Sequence, residues 1–248
     1  MLAPDAKLSG FRSLLEQMLR ARAVWCWAVV VLILHAAVWF AGGPEAVRVW
    51  FEGLGLSREG FLSGKIWQIA SYGLLHGAWW HVGVNVLFVL LLGSKVEHIA
   101  GPAEVTRILT GGILGGGIGH LLLGTGLLVG LSGGCLALLL YLTTLSPQSR
   151  MFPLPVSGRS LGFGIVIAET LLALSDPKLS VPGFDRIGAW MTGHGLGDWF
   201  LLGHACHLGG GLAGIVFARW VLRPRVSLER LRRDRARREA ERVRVDHP

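Results

Sequence analysis

His81-Val82-Gly83-Val84-Asn85-Val86-Leu87-Phe88-Val89-Leu90-Leu91-Leu92-Gly93 puts two polar side chains at the head of an otherwise apolar run. His81 and Asn85 stand at i and i+4, so on a helix they stack on one face and aim at a common point. Counted from Gly73, the run reaches the ~20 residues needed to cross a bilayer. Polar groups inside a membrane are costly; they face a bundle interior and serve a function.

Two further polar clusters follow the same pattern. Gly130-Leu131-Ser132-Gly133 and His207-Leu208-Gly209-Gly210 each lie near the start of another long apolar segment. A serine, a histidine and a His/Asn pair of donors are the components of a serine hydrolase.

Composition agrees with a membrane setting. Of 248 residues, 52% are hydrophobic and 16% charged, against roughly 25% charged in soluble domains. Glycine supplies 36 residues, about double its usual share of ~7%. Membrane helices use such small residues to approach one another. Cys26, Cys135 and Cys206 all fall in or beside apolar runs; an odd count there argues against a disulfide framework. The first apolar run, 23–41, exceeds the 7–15 residues of a signal-peptide core and lacks a small-x-small cleavage site, so it reads as a retained span.

Six spans are expected, at about 23–41, 73–93, 106–124, 127–145, 160–175 and 204–222. The stretch 176–203, with Pro177, Pro182 and scattered charges, reads as a loop. Basic residues set the orientation. With both termini cytoplasmic, the inner segments hold Lys7, Arg12, Arg20, Arg22, Lys95, Arg107, Arg150, Arg159 and the arginines from Arg219 onward. The outer loops hold only Arg48, Arg58, Lys65, Lys178 and Arg186. The net charge of +8 is thus a topology and lipid-headgroup signal, and no nucleic-acid partner is expected. The chain divides into a cytoplasmic segment 1–22, a six-helix membrane domain 23–222 and an Arg-rich cytoplasmic tail 223–248. That tail is helix-prone and polar nearly all round after Pro224, suited to anionic lipid headgroups. In the first outer loop Val47, Trp50, Phe51 and Leu54 follow helical spacing opposite Glu45, Arg48 and Glu52. This predicts an amphipathic helix beginning near Pro44, lying in the interface or packed on the bundle.

With this topology the second, fourth and sixth spans run the same way, which puts His81, Ser132 and His207 at one depth below the outer edge. His207, Gly210, Gly211 and Gly214 share a smooth face that can press on another helix. Gly130, Gly133 and Gly134 allow close approach around Ser132, whose N–H is a free donor at a helix start.

Trp67-Gln-Ile-Ala-Ser-Tyr-Gly-Leu-Leu-His76-Gly-Ala-Trp-Trp-His81-Val-Gly-Val-Asn85, then Gly93-Ser-Lys-Val-Glu97, Gly130-Leu-Ser132-Gly133 and His207-Leu-Gly-Gly210 together resemble a rhomboid intramembrane serine protease over about residues 60–220. The resemblance implies an all-α membrane protein built as a six-transmembrane-helix bundle. It implies Ser132 as nucleophile and His207 as general base, a dyad without an acid. His81, Asn85 and the Ser132 N–H would form the oxyanion site, with Gly130, Gly133 and Gly210 in support. Substrates would be membrane proteins cleaved in or beside a transmembrane segment; neither cofactor nor metal is implied. The expected location is a bacterial inner membrane, as a multi-pass protein. One position departs from the pattern. Many rhomboids carry a Tyr four residues after the serine, stacked on the histidine; here that residue is Leu136.

Blander readings accompany these. Gly130–Gly133 could be a helix-packing patch alone. His204 reads as a loop-end residue, since Leu208-Gly209-Gly210 selects His207. His76 is expected to fix the outer loop by hydrogen bonding, and His120 to be an interior histidine. His194, His204 and His207 could meet on a metal, but no carboxylate stands at ligand spacing. Cys135 reads as a small hydrophobe. Glu97 is expected to tie a cytoplasmic helix end, and Glu169 needs a partner that spacing does not name. Two other functions stay open: a rhomboid-fold protein that binds membrane clients without cutting them, and a small transporter, although the internal repeats typical of transporters are not evident.

Overall fold

The structure, a computed structural model, describes residues 4–41, 43–151, 154–223 and 228–246. Pro224 lies outside them. Among the described residues the chain is helical, with two isolated bridges in place of a sheet. In order come α1 (Pro4–Arg20), α2 (Arg22–Phe40), α3 (Gly43–Leu54), α4 (Arg58–Leu62), α5 (Gln68–Ser71) and α6 (Trp79–Phe88). Helix α6 runs through a wide π-turn, Val89–Gly93, into α7 (Ser94–Ala100). Then follow α8 (Pro102–Leu123), α9 (Ser132–Leu145), α10 (Gly158–Leu174), α11 (Phe184–Gly193), α12 (His204–Val221) and α13 (Leu228–Asp246).

Helix α2 has no side-chain cap of its own. Its orphan donors are served from across the bundle, where the Glu97 carboxylate accepts from Ala23 N at 3.3 Å and Val24 N at 3.2 Å. A carboxylate at a helix N-terminus also meets the positive end of the dipole. Glu97 therefore ties α7 to the start of α2, as the sequence suggested.

The centre is built on small residues. Along α8, Gly111, Gly115 and Gly119 face α12, and Gly112 and Gly116 face α9 and Cys206. The two helix backbones come so close at Gly210 that a Cβ there would fall on the carbonyl of Gly133. Only glycine permits such an approach. Tyr72, Ile108, Leu109, Leu131, Leu138 and Tyr141 fill the space around this seam and are fully buried.

The outward surface is apolar. Ile33 is 62%, Phe163 70% and Leu212 61% exposed, and Val29, Leu87, Ile118, Ile167 and Val216 join them on the outer faces of α2, α6, α8, α10 and α12. A belt this extended is far beyond the patches of a soluble monomer, and suits lipid. Two helices, Arg22–Phe40 and Trp79–Ala100, are long and apolar enough to cross a membrane by length and composition alone.

Three boundaries differ from expectation. The second apolar run becomes an α-helix at Trp79 rather than 73: Tyr72–Leu74 is a 3₁₀ turn, and Leu75 and Ala78 are extended. The fourth starts at Ser132 rather than 127, because 124–131 is a loop whose Gly126 and Gly130 hold positive φ. Residues 176–203 are not plain loop. They contain α11, where Asp185 folds back to accept from Gly183 N at 2.9 Å, satisfying a donor the chain turn would leave free. The predicted helix in the first outer loop is present as α3. Val47, Phe51 and Leu54 are half-buried, and Arg48 bridges Glu45 at 2.9 Å and Glu52 at 3.1 Å on the other face.

Candidate active site

Four helices contribute. Ser132 is the first residue of α9, His207 lies one turn into α12, and His81 and Asn85 occupy the first two turns of α6. Glu169 comes from α10.

The loop before Ser132 is held at several points. Leu56 and Leu128 exchange backbone hydrogen bonds at 3.0 and 2.8 Å, and Gly130 N donates to Tyr72 O at 3.0 Å. Leu131 N donates to His76 Nε2 at 3.3 Å, so His76 fixes this loop. The loop also lies against α6: a Cβ on Gly130, at φ +124°, would meet the His81 ring at 2.7 Å. Position 130 thus requires glycine on backbone and steric grounds alike. These bonds leave the N–H of Ser132, the first residue of α9, without an acceptor among the described residues.

Asn85 is buried, with Cys135 Sγ 3.6 Å from its Oδ1 and its Nδ2 without a partner. A thiol that donates to Oδ1 leaves the NH₂ group as the free end of the amide. Buried donors are normally paired, so an unpartnered one beside Gly130 is what an oxyanion would use. The Cys135 thiol is buried and equally close, at 3.6 Å, to the backbone carbonyl of Asn85.

Next to Ser132, Gly133 packs on Cys206, the residue before His207, and on Gly210, one turn after it. The His81 and His207 imidazoles lie within electrostatic reach of each other. Nε2 of His207 is buried and unpartnered, and no hydrogen bond joins it to Ser132 among the described residues. Resting acid–base pairs in apo enzymes are often loose in this way. The structure therefore gathers Ser132, His81, Asn85, Gly130, Gly133, Gly210 and His207 at one end of the bundle.

The absence of an acid beside the histidine does not hold. His207 Nδ1 lies 3.0 Å from Glu169 Oε2, and His204 Nδ1 lies 2.7 Å from the same oxygen. His204, the first residue of α12, stands at the loop end as expected and is buried, with its Nε2 2.8 Å from Trp199 O. His194 stands apart, with Nδ1 on Trp190 O at 2.8 Å. Spacing alone concealed Glu169, since its partners are 35 and 38 residues away. The signal available was an acid within an apolar span opposite two histidines three residues apart, which share a helix face.

The nitrogen and oxygen atoms of Glu169, His204 and His207 lie within 4.8 Å of one another. Contacts of 2.7 and 3.0 Å are hydrogen-bond lengths, shorter than the roughly 3.3 Å between ligands of a tetrahedral ion bound at about 2.0 Å. The cluster as it stands fits protons better than a metal. Beside it, a cavity of about 210 Å³ is lined by Leu136, Leu140, Ile165, Glu169, His207 and Leu212, among others.

The Rhomboid domain family model matches residues 63–224, which takes in His81, Asn85, Ser132, Glu169, His204 and His207. Comparison with curated proteins gives no match. The chain belongs to the rhomboid family, whose members are membrane-embedded.

Proposed function

We propose that the protein is an intramembrane serine endopeptidase that cleaves peptide bonds in or beside transmembrane segments of other membrane proteins. The observation that carries this reading is a pair of buried, unpartnered polar atoms, His207 Nε2 and Asn85 Nδ2, on helices that pack against Gly133 and Gly130 on either side of Ser132. One is the lone pair a general base needs; the other is the donor an oxyanion needs.

In the reaction, Ser132 Oγ attacks the scissile carbonyl carbon while its proton passes to His207 Nε2. The carbonyl oxygen becomes an oxyanion held by the Ser132 N–H, Asn85 Nδ2 and His81. The C–N bond then breaks as His207 returns the proton to the departing amine. Water, deprotonated by His207, attacks the acyl-serine ester and releases the second product and the free serine.

The membrane arrangement goes with this reading: six spans, a domain at 23–222, both termini cytoplasmic in a bacterial inner membrane, and the 223–248 tail against anionic lipid. Purified protein in proteoliposomes with a generic transmembrane substrate should cleave it, and a fluorophosphonate probe should label Ser132. Equal cleavage and labelling by Ser132→Ala would reject the assignment.

The second reading is a client-holding rhomboid that does not cut. It draws on the missing Ser132–His207 hydrogen bond among the described residues, and any Ser132-dependent turnover removes it.

A further inference from the structure

The contacts of one oxygen atom, Glu169 Oε2, fix where protons reside in this cluster. His204 Nε2 faces the carbonyl of Trp199 at 2.8 Å. A carbonyl only accepts, so that nitrogen carries a hydrogen. His204 Nδ1 faces Glu169 Oε2 at 2.7 Å, a separation typical of charge-assisted bonds. One proton lies between them. Whichever partner owns it, Oε2 keeps a lone pair for its second contact, His207 Nδ1 at 3.0 Å. His207 must then donate from Nδ1, which leaves the lone pair on Nε2, its buried and unpartnered nitrogen.

From this we infer that Glu169 is a positioning residue that holds His207 in the tautomer able to accept a proton from Ser132, with His204 sharing a proton with the same carboxylate oxygen. The inference rests on the proposed hydrolase reading for its purpose, but not for its geometry.

Three observations join in it. The carboxylate sits 18% exposed and the His204 and His207 side chains 5% and 12% exposed, so solvent screens the contacts little. An isolated buried carboxylate is costly, whereas one with two histidine donors is compensated. Leu136 lines the same cavity as Glu169 and His207 and offers the imidazole no ring face or hydrogen bond. The in-plane hold on His207 therefore comes from α10 rather than from α9. An acid that orients a histidine through Nδ1 while its Nε2 works as base is the logic of a Ser-His-acid triad. Here the acid is shared with a second histidine.

Replacing Glu169 by Gln tests this on nearly the same volume. The amide can present either an oxygen or an NH₂ group where Oε2 stood. With neutral His204 already carrying its hydrogen on Nε2, NH₂ is favoured. It donates to both Nδ1 atoms and moves the His207 hydrogen to Nε2.

The direct measurement is ¹⁵N NMR of the histidine-labelled full chain in micelles, with His207 assigned from a His207→Asn sample. Wild type should show His207 protonated at Nδ1, and Glu169→Gln should show it at Nε2. In the cleavage assay Glu169→Gln should lose about 10²-fold in kcat with KM within about threefold, and Glu169→Asp should recover part of the loss. A wild-type hydrogen on Nε2 overturns the inference without any variant. So does a Glu169→Gln protein that keeps both the Nδ1 hydrogen and wild-type kcat. If wild type shows the Nδ1 hydrogen and its loss in Glu169→Gln yet cleaves nothing, the positioning contact stands and the hydrolase reading falls.

Discussion

Gly210 of α12 and Gly133 of α9 meet with nothing between them, the α-carbon of one resting on the carbonyl of the other. The contact sits one residue past Ser132 and three past His207, so the spacing of the two helices helps set how far apart those two residues stand. Gly210→Ala should push α12 off α9, costing about 1–3 kcal/mol of stability as overpacking does. Thermal unfolding in detergent would show the lowered midpoint, and activity per folded molecule should fall as well, since a displacement of about 1 Å can cost 10²-fold in rate. An Ala variant with unchanged midpoint and rate would mean the seam is looser than described.

Asn85 should act in the transition state rather than in substrate capture. Asn85→Ala removes one oxyanion donor and should lower kcat by roughly 10²–10³-fold with little change in KM. A rise in KM at constant kcat would instead assign Asn85 to ground-state binding.

Glu97 lies at the opposite end of α6–α7 from the site, and its two contacts, to Ala23 N and Val24 N, are structural. Glu97→Gln should cost about 1 kcal/mol, as the loss of a helix-capping carboxylate does. Cleavage per folded molecule should stay at the wild-type level. A large drop in kcat at wild-type stability would show that α2 is coupled to the site.

The basic tail should sense lipid charge. Helix α13 carries Arg230, Arg232, Arg233, Arg235, Arg237 and Arg238 among Glu229 and Asp234, and each arginine near an anionic surface contributes about 1 kcal/mol. Amide exchange over 228–246 should be slower in anionic than in zwitterionic nanodiscs, and the difference should shrink as salt rises. Equal exchange in both lipids would remove the headgroup role.

Much of the fold was legible because apolar runs and their polar interruptions are local signals. His81 with Asn85, and His207 with Gly210, Gly211 and Gly214, declared their shared faces by spacing alone. Glu97 announced itself as an acid closing a span. What escaped reading was set by contacts across the sequence. The helix starts at Trp79 and Ser132 are fixed by partners such as His76 with Leu131 N and Leu56 with Leu128, which no periodicity encodes. Glu169 stood out as an acid within a span, but the histidines it meets come from another helix. Helix α11 was hidden by the prolines and glycines around it, although Asp185 beside Gly183 is an N-terminal signal in retrospect.

The wide turn at Val89–Gly93 divides α6 from α7 and resets the angular register between them. Each residue of an α-helix advances about 100°, and a π-turn accommodates one residue more than a regular turn would. If the same residues wound as regular α-helix and Glu97 kept its grip on α2, Asn85 would swing away from Gly130 by roughly that same angle, whereas deleting one residue from 89–93 would keep the register. The anchoring half and the chemical half of this one rod are thus indexed to each other by a local irregularity.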